Sequence, residues 1–528
     1  MKRSTVIFLT FLTSFGTISA QKEALNSINQ SDLKSYMTFF ASDIMAGRET
    51  GTTENDAAAL YIKANLMRMG FKPSVDGDFF QKIPMVSIST DAVNTGLSIK
   101  DSQGNTTYKT DSIVSIQPSP LAQEFTGNLV FAGYGYMDST GYDDLAGLDL
   151  KDKIVIVMTR TPALAYSNAK CNVFDNNIEV PKLRLIFMSG AKAVLLVYDP
   201  RNQYRDPYMS GLASMISSTS VSVRGEKNLN SMPFQLVCIK GSTADQLLKP
   251  TGYNLAGMQE KIREEGKPVS TVIQGISATI KTPLVTKEFT AENVIAVLEG
   301  SDPVLKNECI IYTAHFDHIG KKQNGEVYNG ADDNASGSMA LLEVAEAWMK
   351  LKKKPLRTVI IAWVNGEEKG LLGSMYYADH PLIPMDKTVA DFNLDMVGRS
   401  RMPSDTGSFM GYPLDVTGPG EIIVYTAHES TELGKLLQES AREAGIKIID
   451  KGKDLEFGGS DHMSFRAKGV PSLFFHSGIH ADLHNTGDDV DKIDFGKMEK
   501  VSKMVFLLGY KVANQKIRIT VDHPLVSR

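Results

Sequence analysis

Short, almost continuous apolar runs recur through the second half of the chain and predict buried strands. The runs are residues 309–313, 358–364, 391–394 and 471–475. Strands that are apolar on both faces are typical of sheets covered by helices on both sides. Helical spacing of apolar residues lies between the first two runs and near the end of the chain. The residues are Leu341, Val344, Ala345 and Trp348, then Met498, Val501, Val505 and Leu508. The pattern predicts an α/β fold with a mixed sheet flanked by helices.

The first half of the chain is patterned differently. An amphipathic helix is predicted over residues 55–69, where Ile62, Leu66 and Met69 share a face and Gly70 can form a left-handed C-cap. From about 121 to 285, short apolar runs alternate with Gly, Asp and Ser. We therefore expect a small β-rich domain inserted here.

Composition and charge narrow the class of protein. The chain has 528 residues, of which 42% are hydrophobic and 22% charged, as in ordinary globular proteins of several domains. The 56 basic residues do not exceed the 61 acidic ones, so we expect no nucleic-acid partner. Cys171, Cys238 and Cys309 are too few for a disulfide scaffold. Whether Cys171 pairs with Cys238 stays open at this stage.

Residues 1–20 have the pattern of a secretory signal. Lys2 and Arg3 precede an apolar run over 6–12, and Ala20 ends the segment before a polar stretch. The apolar run is shorter than the ~20 residues that a membrane span needs, so an uncleaved anchor is the weaker alternative. We expect a protein exported to the periplasm or secreted, without stable membrane insertion.

Side chains that bind divalent cations follow the predicted strands. His315, Glu367, Glu368 and Asp395 lie at strand ends, while Asp332 and Asp333 occupy a loop before a helix and His476, His480 and His484 a late loop. In α/β sheets, ligand-binding groups gather at the carboxyl ends of strands. Three carboxylates and two imidazoles suit a pair of zinc ions, with one oxygen donor shared and a further carboxylate free to move protons.

These residues lie in five ordered motifs that resemble those of the M28 zinc peptidases, the aminopeptidase Y and glutamate carboxypeptidase II group. The motifs are His315-Phe-Asp317, Gly330-Ala-Asp332-Asp333, Asn365-Gly-Glu367-Glu368, Asn393-Leu-Asp395 and His480-Ala-Asp-Leu-His484. The likeness covers about 37–90 and 286–510. The β-rich stretch resembles, more weakly, the protease-associated (PA) domain inserted in secreted members. The implied division is a signal peptide at 1–20, the N-terminal part of the peptidase domain at 21–120, a PA-like insertion at 121–285, the zinc peptidase catalytic domain at 286–515 and a C-terminal tail at 516–528.

The resemblance also implies a role for each residue. It implies two zinc ions per chain, the first held by His315 and Asp395, the second by Glu368 and His484, and both by Asp333. Glu367 would be the general base toward a water held between the ions. The resemblance further implies a cis peptide between Asp333 and Asn334.

The expected function is that of an exported di-zinc aminopeptidase acting on peptides. A carboxypeptidase of the same fold and a catalytically inactive, receptor-like binding protein remain alternatives. A mono-zinc glutaminyl cyclase is disfavoured, because His315 and Asp395 supply ligands for a second ion.

Residues around the ligands carry further expectations. Asp317 is expected to accept the second imidazole N–H of His315, and Asp488 to do the same near His484. We expect His318, His476 and His480 to bind no metal. Leu483 stands where many relatives have a tyrosine that helps to hold the oxyanion, so His480 or a residue within 458–462 would have to donate instead.

Overall fold

The computed structural model describes residues 21–524, apart from 92, 102, 109–112, 118–122, 167–175, 202–218, 226–234, 323, 410–411 and 450–458. The predicted signal peptide and Cys171 lie outside the described residues. The chain divides into two compact units. The first comprises the chain up to Pro84, Thr290–Gly407 and the chain from Pro413 onward; the second comprises Met85–Phe289 and Ser408–Tyr412.

Helices and strands alternate through most of the described chain. The helices are α1 (Gln30–Phe40), α2 (Thr53–Met69), α3 (Pro162–Tyr166), α4 (Asn176–Met188), α5 (Gly241–Leu248), α6 (Leu255–Glu265), α7 (Gly337–Lys350), α8 (Leu372–Asp379), α9 (Thr431–Ala444), α10 (His462–Arg466) and α11 (Phe495–Asn514). The strands are β1 (Phe80–Thr90), β2 (Gly96–Asp101), β3 (Gly104–Tyr108), β4 (Ile113–Gln117), β5 (Glu124–Phe131), β6 (Ile154–Met158), β7 (Ala193–Val197), β8 (Thr219–Val223), β9 (Gln235–Ile239), β10 (Thr271–Lys281), β11 (Leu284–Leu298), β12 (Cys309–His315), β13 (Thr358–Val364), β14 (Thr388–Leu394), β15 (Ser408–Phe409), β16 (Tyr412–Pro413), β17 (Glu421–Tyr425), β18 (Lys447–Ile449) and β19 (Ser472–His476).

The sheet of the first unit is mixed, as predicted. Its strands run in the order β18-β17-β19-β14-β12-β13-β11-β1. The central strands β13, β12, β14 and β19 are parallel, whereas β17 and β11 run antiparallel to their neighbours β19 and β13. Each of the four apolar runs predicted as buried strands coincides with one of the parallel strands. Their carboxyl ends therefore meet at one edge of the sheet.

Both faces of this sheet are covered, which explains the continuous apolar runs. In β12, Ile310 and Tyr312 contribute to a large core with residues of α1, α2, α7 and α11. Cys309 and Ile311, which alternate with them, face a smaller core that includes Tyr377 of α8 and Phe465 of α10. Because successive side chains of a strand point to opposite faces, every residue of such a strand is buried.

The predicted helices of the first unit are confirmed. Helix α2 begins two residues before the predicted start, after Thr52, whose side chain accepts the N–H of Asn55. It ends at Gly70, which adopts the left-handed conformation expected of a C-cap, with φ 90°. Helices α7 and α11 carry the two apolar faces read from the sequence.

Asp391 is a fully buried acid in the central strand β14. Its Oδ1 accepts the hydroxyl of Thr313 at 2.9 Å. Burial raises the pKa of Asp391 from 3.8 to about 8. Since the folded protein holds this proton more tightly than the unfolded chain, the stabilising contribution is present below about pH 4 and is lost as pH rises toward 8.

We expect Asp391→Asn to remove this pH dependence. Asn is close to Asp in shape but is neutral at every pH. Metal-free wild type should lose stability relative to the variant between pH 4 and 8, with a slope of up to about 1.4 kcal/mol per pH unit. Urea unfolding of both proteins at several pH values measures the difference. A difference that stays constant over this range would show that the acid titrates normally.

The second unit contains a sheet of its own, in the order β3-β2-β10-β5-β6-β7-β9-β4. Strands β5, β6, β7 and β9 are parallel, and antiparallel pairs flank them. Helices accompany the parallel strands: Leu255, Met258 and Ile262 of α6 belong to the core on one side, and Leu183 and Ile186 of α4 to the core on the other. The unit is therefore an α/β layer structure rather than a purely β-rich one.

The second unit begins at Met85, earlier in the chain than residue 121. The reason is that β2 pairs with β10, β3 with β2, and β4 with β9, all of them strands of the second unit. Among the described residues, Cys238 and Cys309 are buried and form no disulfide. Across the described part of the chain, no helix combines the length and the apolar character that crossing a membrane requires.

Candidate metal centre

Three parallel strands deliver the predicted ligands to one edge of the sheet. His315 is the last residue of β12, Glu367 and Glu368 follow β13 after a two-residue turn, and Asp395 directly follows β14. Because β12 lies between β13 and β14 and is parallel to both, these side chains meet although they are far apart in sequence. His484 reaches the same place from the loop that follows β19.

Asp333 is presented by a tightly held loop before α7. The carboxylate of Asp488 accepts the N–H groups of Asp332 and Asp333 at 3.0 Å. The Asp333–Asn334 peptide is cis, as the sequence resemblance implied. A side chain at Gly330 would place its Cβ 2.2 Å from the carbonyl oxygen of Asp333 and 2.5 Å from the ring of His318, so only glycine fits there.

His315, Asp333 and Asp395 form a first group of donors. Nε2 of His315 lies 3.4 Å from Oδ1 of Asp333 and 3.3 Å from Oδ1 of Asp395. All three side chains are almost fully buried. Oε2 of Glu367 lies 4.0 Å from the same nitrogen, which places Glu367 beside the group.

A second group forms around the other oxygen of Asp333. Nε2 of His484 lies 3.0 Å from Oδ2 of Asp333 and 3.3 Å from Oε2 of Glu368. Nδ1 of His318 lies 2.7 Å from Oε1 of Glu368 and 3.7 Å from Oδ2 of Asp333. The two oxygens of Asp333 therefore face different groups. His484 is the more accessible member, with 37% of its side chain exposed.

The electrostatics of the cluster favour cations. Burial raises the pKa of Glu367 well above its ordinary value, and the neighbouring carboxylate of Glu368 adds to the effect. Although burial favours a neutral ring, nearby carboxylates, Asp395 first, raise the pKa of His315 well above its ordinary value. Buried charges are costly unless they are paired or bind a metal. An excess of buried carboxylates is thus stabilised by positive charge.

The donors themselves fit divalent zinc. Nε2 of His315 and Oδ1 of Asp395 are buried and have no hydrogen-bond partner among the described residues. Imidazole nitrogen and carboxylate oxygen are both common zinc ligands. Each of two groups, His315–Asp333–Asp395 and His318–Asp333–Glu368, has donor atoms close enough together to hold one ion. Nε2 of His484 lies 3.0 and 3.3 Å from carboxylate oxygens of Asp333 and Glu368, so it is a second candidate imidazole for the latter group.

The prediction for Asp317 is wrong about which of its oxygen atoms contacts His315. Nδ1 of His315 lies 3.2 Å from the main-chain carbonyl oxygen of Asp317 and 3.8 Å from its carboxylate. The carboxylate instead accepts the hydroxyl of Thr50 at 3.0 Å and the N–H groups of Glu367 and Glu368 at 3.2 and 3.4 Å. Asp317 therefore orients the turn that carries the two glutamates.

The expectation that Asp488 partners His484 is also wrong, because its carboxylate binds the main chain of the Asp333 loop. Nε2 of His480 faces Oδ2 of Asp332 at 3.4 Å, and its Nδ1 accepts the N–H of Asp482. Nδ1 of His476 accepts the N–H of Gly478. Of the three late histidines, His484 is the one that the structure brings to the donor groups.

Leu483, which stands in place of the tyrosine expected from the resemblance, is nearly buried and carries no polar atom. Residue 458 lies outside the described chain. Asp461 is buried, and burial together with nearby carboxylates, Asp395 first, raises its pKa to about 7.

Arg48 is a functional candidate that the sequence reading missed. Its guanidinium is fully buried and donates to four main-chain carbonyls at 2.7 to 3.0 Å, those of Phe40, Phe316, Asn329 and Gly330. It thereby ties the end of β12 to the loop that carries Asp333. No sequence pattern predicts that a single arginine will be buried and bind main-chain carbonyls.

We expect Arg48→Met to destabilise the protein by roughly 3 to 5 kcal/mol, since several buried carbonyls would lose charge-assisted hydrogen bonds. Arg442→Met, at an exposed helix position, is the matched control and should change stability by no more than about 0.5 kcal/mol. Urea unfolding measures both. Equal stability of the two variants would contradict the role given to Arg48.

Residues 293–508 match the model of Peptidase family M28. The matched segment contains all five predicted ligands and Glu367.

Two curated relatives are named as aminopeptidases. The chain is 30% identical over 262 residues to a probable leucine aminopeptidase of Trichophyton verrucosum, which covers 48% of this chain and 65% of that protein. It is 27% identical over 285 residues to aminopeptidase YwaD of Bacillus subtilis, covering 51% and 55%. The chain thus spans less than two thirds of the length of these relatives.

Two structures share the fold over nearly the whole chain. An aminopeptidase from an Aneurinibacillus strain superposes with a TM-score of 0.56 at 22% identity, over 96% of this chain and 98% of that one. A zinc aminopeptidase from Bacillus subtilis gives a TM-score of 0.52 at 19% identity, over 93% and 97%. At these identities the likeness concerns the fold.

Proposed function

We propose that the chain is a zinc-dependent aminopeptidase that removes single residues from the amino ends of peptides. The observation that carries the proposal is the shared carboxylate. Oδ1 of Asp333 lies 3.4 Å from Nε2 of His315, and Oδ2 lies 3.0 Å from Nε2 of His484. The family match and the names of the curated relatives support the same reaction class.

His315, Asp333 and Asp395 would hold one zinc ion, and Asp333, Glu368 and His484 the other. When bound, such ions polarise a scissile carbonyl and lower the pKa of water from 15.7 toward about 7. Of the residues that would hold the ions, His315 and Asp395 are almost fully buried, whereas His484 is more exposed.

Glu367 would move the protons of the reaction. It is not needed as a ligand in either group, and its carboxylate borders the first group. As water adds to the peptide carbonyl carbon, Glu367 accepts a proton from it. As the C–N bond breaks, the same proton passes to the amine nitrogen, which leaves as the shortened peptide.

The surroundings of the site offer no extra positive charge to a substrate carboxylate. The four carboxylates of Asp333, Glu367, Glu368 and Asp395 would offset the charge of two zinc ions. The arginines that face the cluster, Arg48 and Arg399, are fully buried. Arg48 donates to main-chain carbonyls and Nη2 of Arg399 donates to Asp482 at 2.9 Å. Because both guanidinium groups are fully buried, neither reaches a substrate carboxylate.

A set of three substrates tests the proposal. They are leucyl p-nitroanilide, chosen because relatives are named leucine aminopeptidases, its N-acetylated form, and an N-acetylated peptide with a free carboxyl end. We expect release from the first alone, and loss of that release after zinc is removed by a chelator. Cleavage of the acetylated peptide from its carboxyl end would favour a carboxypeptidase. No cleavage of any substrate by the zinc-loaded protein would favour a binding protein.

We further propose that the protein acts after export, in the periplasm or outside the cell. The support is the sequence of residues 1–20, with two basic residues, an apolar run and a small residue before a polar stretch. Amino-terminal sequencing of the protein recovered outside the cytoplasm tests this. A chain that begins after residue 20 is expected, and an intact, cytoplasmic chain would contradict it.

A further inference from the structure

His318 is held rigidly beside the second donor group. It is fully buried, and its main-chain N–H donates to the carbonyl of Arg48 at 3.4 Å. The α-carbon of Gly330 packs so closely that a Cβ there would lie 2.5 Å from the ring. The imidazole therefore has little freedom to turn away from Glu368.

Interatomic distances distinguish a residue that binds the metal ion from a residue that hydrogen-bonds to a metal ligand. Two zinc ligands that share an ion in tetrahedral geometry lie roughly 3.3 to 3.5 Å apart. The pairs His315–Asp395 at 3.3 Å, His315–Asp333 at 3.4 Å and His484–Glu368 at 3.3 Å match this spacing, and the pair His484–Asp333 is shorter, at 3.0 Å. His318 does not: its Nδ1 is 2.7 Å from Oε1 of Glu368 but 3.7 Å from Asp333. The first is a hydrogen-bond distance.

The surroundings of the His318 ring indicate which ring nitrogen carries the hydrogen. Nε2 of His318 is buried and has no hydrogen-bond partner among the described residues. A hydrogen on Nε2 would be buried without an acceptor, whereas a hydrogen on Nδ1 meets Oε1 of Glu368. The ring therefore carries its hydrogen on Nδ1.

We propose that His318 is a positioning residue for the second zinc site. Its Nδ1–H donates to Oε1 of Glu368 and leaves Oε2, which lies 3.3 Å from Nε2 of His484, available to bind the ion. A glutamate side chain has three rotatable bonds. Because the hydrogen bond already fixes one oxygen, Glu368 loses less conformational entropy when zinc binds. Partners of this kind typically change metal affinity by 10 to 100-fold. This inference rests on the proposed zinc site.

The variants His318→Asn and His318→Gln provide the test. The amide nitrogen of Asn can occupy the place of Nδ1 and donate to Glu368, whereas that of Gln extends toward the place of Nε2. His523→Asn, at an exposed histidine with 62% of its side chain accessible, is the control. Zinc Kd values are measured in the full-length proteins by competition with a chelator, with kcat and KM measured alongside.

We expect His318→Gln to weaken the binding of one zinc ion by 10 to 100-fold, and to leave the binding of the other within about threefold. His318→Asn should recover most of the affinity, and His523→Asn should match wild type. Unchanged zinc affinity in His318→Gln would overturn the inference while leaving the proposed enzyme intact. Equal losses in the Asn and Gln variants would also overturn it, since shape or direct ligation would then explain them. Wild type that binds no zinc would overturn the proposed function as well.

Discussion

Replacing Glu367 by Gln will lower kcat at least a hundredfold while zinc stays bound. Gln keeps the size of the side chain but cannot accept a proton, and general bases typically contribute 10²- to 10⁴-fold. Glu367 belongs to neither of the two donor groups, so the ions should remain. Steady-state kinetics with leucyl p-nitroanilide and metal analysis of the same sample measure the two effects together.

A matched control makes this result specific. Glu443 is an exposed glutamate that pairs with Lys511, and Glu443→Gln should retain full kcat. Activity near that of wild type in Glu367→Gln would refute its role as general base. Loss of zinc along with activity would instead make Glu367 a ligand.

The second large effect is expected for Asp333→Asn. Each oxygen of Asp333 faces a different imidazole, so a single change should weaken both ion sites. Second-sphere partners alone change affinity by 10 to 100-fold, and a shared ligand should therefore cost more than about a hundredfold at each site. Peptidase activity should fall below detection.

Asp395→Asn separates a shared ligand from an ordinary one. Asp395 contacts the first donor group alone, so this variant should lose one ion and keep the other. Metal analysis after dialysis compares the two variants. If Asp333→Asn loses no more zinc than Asp395→Asn, Asp333 is not shared.

Much of the fold was readable from periodicity. Strands buried on both faces leave continuous apolar runs, and each such run became a parallel strand, β12, β13, β14 or β19. The helices of the second unit were not predicted, because its short apolar runs favour strands, although Leu255, Met258 and Ile262 of α6 have helical spacing. Strand pairing decides where that unit begins, and pairing joins segments that are remote in sequence.

Some residues of the candidate site could be predicted from the sequence and others could not. Acids and imidazoles that follow strands could be collected from the sequence, because parallel strands bring their carboxyl ends together. Their partners could not. His318 resembled an ordinary histidine at a strand end. The contact of His315 with the main-chain carbonyl of Asp317 could not be predicted, because every residue type has such a carbonyl. Arg48 acts on carbonyls that every sequence contains.

Counting zinc in the purified full-length protein tests the shared centre most directly. After dialysis against metal-free buffer and reloading with zinc, elemental analysis should find two ions per chain in wild type and no more than one in Asp395→Asn. One tightly bound ion in wild type, unchanged by Asp395→Asn, would contradict a centre in which Asp333 serves two metals.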